Sequence, residues 1–150
     1  MRIEVSACTD TGRKRSANED FHAFDEKLGL FVVADGLGGH AAGRRASELG
    51  VAVFVETVAR DPQGSGAEVL RRAINRASEA IHEASRAEPG LRGMGTTLVA
   101  IWLRGEEAAL AHAGCNEVHV EAGARLNGAL VAAGLVDEFL VYVAPSLLGD

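Results

Sequence analysis

A single carboxylate stands where an apolar run meets a glycine-rich turn. Residues 30–34 are apolar, and Asp35 follows them directly, ahead of Gly36, Gly38 and Gly39. Such a run is typical of a buried strand, and glycine allows a tight turn because it tolerates positive φ. The pattern therefore predicts a carboxylate oxygen at the rim of a sheet. Magnesium and manganese ions prefer hard oxygen ligands, so Asp35 is a candidate metal ligand.

The elements that must position Asp35 follow from the spacing of apolar residues. Alternation with a period of two predicts strands, and recurrence every three or four residues predicts helices. We therefore expect an α+β fold of antiparallel strands and two helices. The predicted elements are a strand at 3–8, a hairpin at 21–24 and 29–34, helices at 41–60 and 67–87, and a second hairpin at 96–103 and 108–113.

Three motifs in this order point to a family. They are residues 9–20, the Asp35-Gly36 turn, and the run Gly-Met-Gly-Thr-Thr-Leu at residues 93–98. Together they resemble the bacterial branch of the metal-dependent serine/threonine protein phosphatases of the PPM, or type 2C, family. The resemblance covers residues 1 to about 113 and implies the first part of that family's sandwich fold.

The same resemblance implies roles for individual residues. Asp35 would bridge two divalent ions, Mg²⁺ or Mn²⁺, and the Gly36 carbonyl would complete one coordination shell. Glu19 and Asp20 would act beside Asp35, directly or through bound water. Arg15 would clamp the substrate phosphate, a task suited to a planar guanidinium. The substrate would be a protein carrying phosphoserine or phosphothreonine.

Two further features of these motifs carry alternatives. Thr96 and Thr97 begin a strand beside a tight turn, and a contact to the metal site is the other interpretation. His40 closes the glycine motif, where a packing or helix-start role is expected in preference to a catalytic acid.

From about Gly114 the sequence resembles another family, the C-terminal reductase domain of the bifunctional riboflavin-biosynthesis deaminase-reductase. That resemblance implies that Glu121 lies near a pyrimidine substrate and that Gly123 to Gly128 face the diphosphate of NADPH. A glycine turn before a helix presents free backbone N–H groups to a phosphate. NADPH binding is nevertheless not expected, because the rest of a reductase sheet is not visible in the chain.

This second segment is expected to complete the core instead. Its pattern predicts a strand at 118–121, a helix at 124–133 and a strand at 139–144, a β-α-β unit whose two strands would be parallel. The chain would then form one domain over residues 1–150, with a phosphatase-like part at 1–113 and a reductase-like part at 114–150.

The second segment also departs from the phosphatase pattern. Where that family has Gly-Asp-Ser, this chain has Gly114-Cys115-Asn116, and the aspartates of the family's second half are absent. A cluster of carboxylates is needed to overcome the reluctant dehydration of Mg²⁺. We therefore expect weak binding of Mg²⁺ or Mn²⁺ and little or no phosphatase activity from a truncated enzyme. The alternatives are a non-catalytic chimeric or engineered fusion and an NADPH-binding reductase fragment.

Composition narrows the classes of partner. The formal net charge of -6 argues against nucleic acid and acidic membranes, which attract basic surfaces. The two cysteines, Cys8 and Cys115, have no metal-binding or disulfide spacing, and no apolar stretch is long enough to span a bilayer. A cytoplasmic protein is expected. Unpaired strand edges would favour a homodimer.

Overall fold

A computed structural model describes residues 4–39, 41–105 and 107–113. All of them lie in the first of the two units into which the chain divides, Met1–Asn116 and Glu117–Asp150. The predicted β-α-β unit, the proposed NADPH site at Glu121, Gly123 and Gly128, and His40 lie outside the described residues.

The described residues form an α+β fold, as the sequence predicts, with an antiparallel sheet and two helices. The sheet has the order β1-β2-β4-β5, and the short β3 pairs with β2. A 3₁₀ turn, Pro89–Leu91, precedes β3. The elements are β1 (Asp20–Asp25), β2 (Leu30–Leu37), α1 (Ala41–Arg60), α2 (Gly66–Ala87), β3 (Gly95–Thr96), β4 (Leu98–Arg104) and β5 (Glu107–Ala113).

Both helices cover one face of this sheet, and the main core lies between the helices and the sheet. Side chains alternate along a strand, so every second residue of β2 and β4 points to the helices. Helix α1 contributes Phe54 and Val58, and α2 contributes Leu70, all completely buried. The strand residues that meet them are Leu30, Val32, Ala34, Leu98, Ala100 and Trp102.

The opposite face of the sheet, called the outer face here, carries the other half of each strand. The register pairs Phe24 with Phe31 and Val33 with Val99 on this face. Phe24 and Val33 are 47% and 56% exposed. Asp35 lies on the same face, since it is two residues after Val33 in the same strand.

Two details of the sequence prediction need correction. The alternating segment at 3–8 predicts a strand, but residues 4–10 form none. Residues 6–9 instead lie against the outer face, where they line an open cavity of about 500 Å³ with Asp20 and Asp35. The prediction was wrong because an alternating pattern shows only that a segment could have one buried and one exposed face. A strand also needs a neighbouring strand to pair with, and the pattern does not indicate one. The second correction is that β2 continues through Asp35 to Leu37, because β3 pairs with its last residues.

In the part of the chain that the structure describes, no helix is long and apolar enough to cross a membrane.

Candidate metal centre

Two carboxylates face each other across neighbouring strands. Asp20 is the first residue of β1, and the antiparallel register places it directly opposite Asp35 of β2. Directly opposed residues in an antiparallel pair have Cβ atoms about 4.5–5.5 Å apart on the same side of the sheet. Both residues also line the same open cavity. The structure therefore brings together two of the predicted metal ligands on the outer face.

The electrostatics of this pair favour a bound cation. Partial desolvation raises the pKa of Asp35, and the negative charge of Asp20 and the hydrogen bond to its side chain raise it further. Glu19 acts in the same direction, whereas Arg15 lowers the pKa. Asp35 is exposed to solvent, so water screens part of the repulsion. A bound divalent cation would offset the repulsion between the two carboxylates, so both could be ionised and serve as its ligands.

Glu19 lies on the other side of the chain from Asp20. Adjacent residues of an extended chain point to opposite faces, and the Glu19 carboxylate packs against Gly43 in the first turn of α1, where an added Cβ would overlap it. Among residues 4–39, 41–105 and 107–113, no group of three or more histidine, cysteine, aspartate or glutamate side chains could hold a metal ion. The structure thus brings Asp20 and Asp35 together and directs Glu19 towards the helix.

Gly36 lies where the backbones of β2 and α1 come close together. Its N–H donates to the Glu19 carbonyl oxygen at 3.1 Å, and an added Cβ would overlap the carbonyl of Gly43 and crowd that of Glu19. Only residues without a side chain allow the two backbones to meet here. Gly36 also pairs with Thr96 of β3, so this glycine sets the packing of the site.

Thr96 and Thr97 hold the backbone of Asp35. The Thr97 N–H donates to the Asp35 carbonyl oxygen at 2.9 Å, and the Asp35 N–H donates to the Thr97 hydroxyl at 3.2 Å. The Thr96 hydroxyl lies 2.9 Å from the same carbonyl oxygen. Thr96 also belongs to strand β3, so the structure shows both the strand and a contact to the backbone of Asp35.

Arg15 lies in the exposed loop that precedes β1. Its positive charge lowers the pKa of Asp35, which places the guanidinium within electrostatic reach of the carboxylate pair. The loop is pinned at its ends, since the Asn18 side chain donates to the Thr9 hydroxyl at 2.7 Å and accepts from the Asp20 N–H at 3.0 Å. The sequence analysis missed Asn18 and Thr9. An asparagine two residues before an aspartate is an Asx-turn signal that could have identified Asn18.

Comparison with known proteins connects this geometry to phosphatases. The chain is 38% identical over 112 residues to the serine/threonine protein phosphatase PstP of Mycobacterium tuberculosis. The aligned region covers 75% of this chain and 21% of PstP. It is 31% identical over 145 residues to the protein phosphatase PhpP of Streptococcus pneumoniae, covering 92% of this chain and 58% of PhpP. The chain thus spans between about a fifth and three-fifths of these relatives.

Solved structures give the same result for the fold. The crystal structure of Mycobacterium tuberculosis PstP matches with a TM-score of 0.64 and 33% identity, over 85% of this chain and 57% of that one. A structure of the PstP catalytic domain, described as a complex with two manganese ions, matches with the same TM-score and covers 59% of that chain. The α+β fold of the described residues is therefore similar to that of PPM phosphatases.

A family model gives a second affiliation. The model of the RibD C-terminal domain matches residues 62–150, which is more than half of the chain. The two affiliations overlap, because a structural match over 85% of the chain must extend past residue 62. Within the overlap, α2, β4 and β5 belong to the antiparallel fold described above. By its residues 62–150 the chain belongs to the RibD C-terminal domain family, while its N-terminal part resembles the PPM serine/threonine phosphatases.

Proposed function

We propose that the chain is a metal-dependent phosphatase-type protein that binds Mg²⁺ or Mn²⁺ weakly at Asp20 and Asp35 and hydrolyses phosphomonoesters slowly. The observation that supports this most strongly is the opposed carboxylate pair on the outer face. The similarity to PPM phosphatases, one of them solved with two manganese ions, supports the choice of metal.

The residues of the site suggest a division of labour. When bound, divalent ions would neutralise phosphate charge and supply hydroxide near neutral pH. Asp20 and Asp35 would hold them, with Thr96 and Thr97 fixing the Asp35 backbone. Arg15, exposed on the adjacent loop, would orient the phosphate of a phosphoserine or phosphothreonine protein through its planar guanidinium.

Weak binding follows from the number of ligands. Two carboxylates from the described residues leave most of an octahedral shell to water. Mg²⁺ sites with so few carboxylates usually rely on substrate phosphates as additional ligands. Glu19, which faces α1, would contribute through bound water or through its charge. The proposed weak binding and low activity both rest on the small number of carboxylates that the described residues supply.

The test combines binding with turnover. Mn²⁺ binding is measured by electron paramagnetic resonance of the free ion, and hydrolysis with p-nitrophenyl phosphate. We expect millimolar-range binding and slow, Mn²⁺-dependent turnover, both lost in Asp35→Ala and both retained in Glu79→Gln, which removes a charge from the exposed surface of α2. Turnover as fast as that of a full-length phosphatase would contradict the weak site. Binding that survives Asp35→Ala would contradict the assignment.

A second candidate function is binding of NADPH, and the observation that favours it is the match of residues 62–150 to the RibD C-terminal domain. Glu121, Gly123 and Gly128 would then form the site. A titration followed by NADPH fluorescence checks it, and we expect no saturable change. A non-catalytic fusion would show neither Mn²⁺ nor NADPH binding. The outer strands β1 and β5 of the described sheet would support a homodimer, which gel filtration tests.

A further inference from the structure

A buried hydroxyl on α1 reaches out of its helix to the strand that carries Asp20. Ser47 is completely buried, and its Oγ lies 2.6 Å from the Glu19 carbonyl oxygen. The Arg44 carbonyl, the usual type of acceptor for a helical serine, is farther away at 3.0 Å. A hydroxyl has a single proton to donate. The shorter distance therefore favours the Glu19 carbonyl oxygen over the Arg44 carbonyl oxygen as its acceptor.

The Glu19 carbonyl thereby joins three elements. It accepts the Ser47 hydroxyl from α1 and the Gly36 N–H from β2, the latter at 3.1 Å. Glu19 is bonded to Asp20, and Gly36 is bonded to Asp35, so each carboxylate of the pair is one peptide away from this junction. Any shift of the Glu19 carbonyl must be transmitted to the spacing of the two carboxylates.

We infer that Ser47 is a positioning residue for the divalent ion, acting through the Glu19 carbonyl without touching the metal. The inference rests on the proposed function. Outer-sphere partners that orient metal ligands typically change metal affinity by about 10–100-fold when removed. Because Ser47 acts on backbone rather than on a ligand side chain, we expect the lower end, a loss of about 10-fold in Mn²⁺ affinity.

A matched control is available in the same helix. Thr57 donates its hydroxyl to the Val53 carbonyl at 2.7 Å, entirely within α1. Thr57→Val removes a helical hydroxyl bond of similar length without touching the junction. A purely structural role of Ser47 predicts that Ser47→Ala and Thr57→Val lower the melting temperature and leave Mn²⁺ affinity unchanged.

The experiment measures Mn²⁺ affinity, melting temperature and amide hydrogen exchange at Gly36 in the wild type and in Ser47→Ala, Ser47→Cys and Thr57→Val. We expect about 10-fold weaker Mn²⁺ binding and faster exchange at Gly36 in Ser47→Ala, and an intermediate result in Ser47→Cys, whose thiol is a weak donor. Thr57→Val should keep the wild-type Mn²⁺ affinity and the wild-type exchange at Gly36. The cysteine variant keeps the side chain's size and provides the comparison where the alanine variant does not fold.

Two results separate failure of the inference from failure of the proposed function. Wild-type protein that binds Mn²⁺, together with Ser47→Ala and Ser47→Cys that bind it within twofold, overturns the inference alone. Wild-type protein that does not bind Mn²⁺ overturns both. An equal loss of affinity in Thr57→Val would show a general effect of helix stability, and it also overturns the inference.

Discussion

Replacing Asp20 by asparagine should stabilise the metal-free protein while removing most of its response to Mn²⁺. Like charges directly opposite in an antiparallel pair destabilise the sheet by about 0.2–1 kcal/mol. Because Asp35 is exposed to solvent, a value near the middle, about 0.5 kcal/mol, is appropriate. For a chain of this size that corresponds to a rise of about 1–2 °C in melting temperature. The asparagine amide can also donate to Asp35.

The metal response should change in the opposite direction. For a dissociation constant of about 1 mM, 10 mM Mn²⁺ stabilises the wild type by RT ln 11, about 1.4 kcal/mol, or about 3–6 °C. Asp20→Asn should lose most of this shift. The assay is differential scanning fluorimetry with and without Mn²⁺, with Glu79→Gln as the control for removal of one exposed negative charge.

The same variant should change the pH dependence. The pKa of Asp35 is raised in the folded protein, so the folded state holds its proton to higher pH than the unfolded state. The stability that this group contributes is full below the ordinary aspartate pKa and is lost as pH rises through the raised value. Asp20→Asn should flatten this loss. A lower melting temperature for metal-free Asp20→Asn at neutral pH, or an unchanged Mn²⁺ shift, would refute the reasoning.

Three other predictions concern stability and are checked by urea unfolding. Gly36→Ala and Gly43→Ala should each destabilise the fold by about 1–3 kcal/mol, because their Cβ atoms would overlap neighbouring atoms, whereas Gly90→Ala, with open space around it, should change little. Trp102→Phe should lose about 1 kcal/mol, because the indole N–H donates to the partly buried Leu28 carbonyl at 2.9 Å and the variant lacks that hydrogen bond. Ser65→Ala should lose about 1 kcal/mol with the capping box of α2. Hydrogen bonds from the Ser65 side chain and backbone lower the pKa of Glu68, so the stability that Glu68 contributes is present above its ordinary pKa and lost as pH falls through the lowered value. Ser65→Ala should weaken that acid dependence.

The elements with strong local patterns were predictable. Helix α1 has the predicted bounds, Ala41–Arg60, and α2 begins one residue before its predicted start. Both have apolar residues at helical spacing, and Asp61-Pro62 and Pro89 interrupt the pattern at their ends. The hairpins were recognised for a similar reason, since glycine and charged residues separate their apolar runs.

The features that were missed depend on residues distant in sequence. Strand β2 extends past Asp35 because β3, about sixty residues later, pairs with Gly36 and Leu37. Ser47 reads as an ordinary helical serine until the Glu19 carbonyl, 28 residues earlier, is placed beside it. Asp20 and Asp35 were predicted as ligands, but that Glu19 faces away from them follows only from the strand register and the packing of α1.

That register links the stability of the fold to its proposed chemistry at one place. Because consecutive residues alternate, Glu19 packs against α1 while Asp20 presents its charge on the outer face. Changes on the outer side, such as Asp20→Asn, remove repulsion and should increase stability at the expense of metal binding. Changes on the helix side, such as Ser47→Ala, leave the repulsion in place and loosen the backbone that aligns it. Opposite effects on stability, each accompanied by weaker Mn²⁺ binding, are therefore the signature of a metal site built on a repelling carboxylate pair.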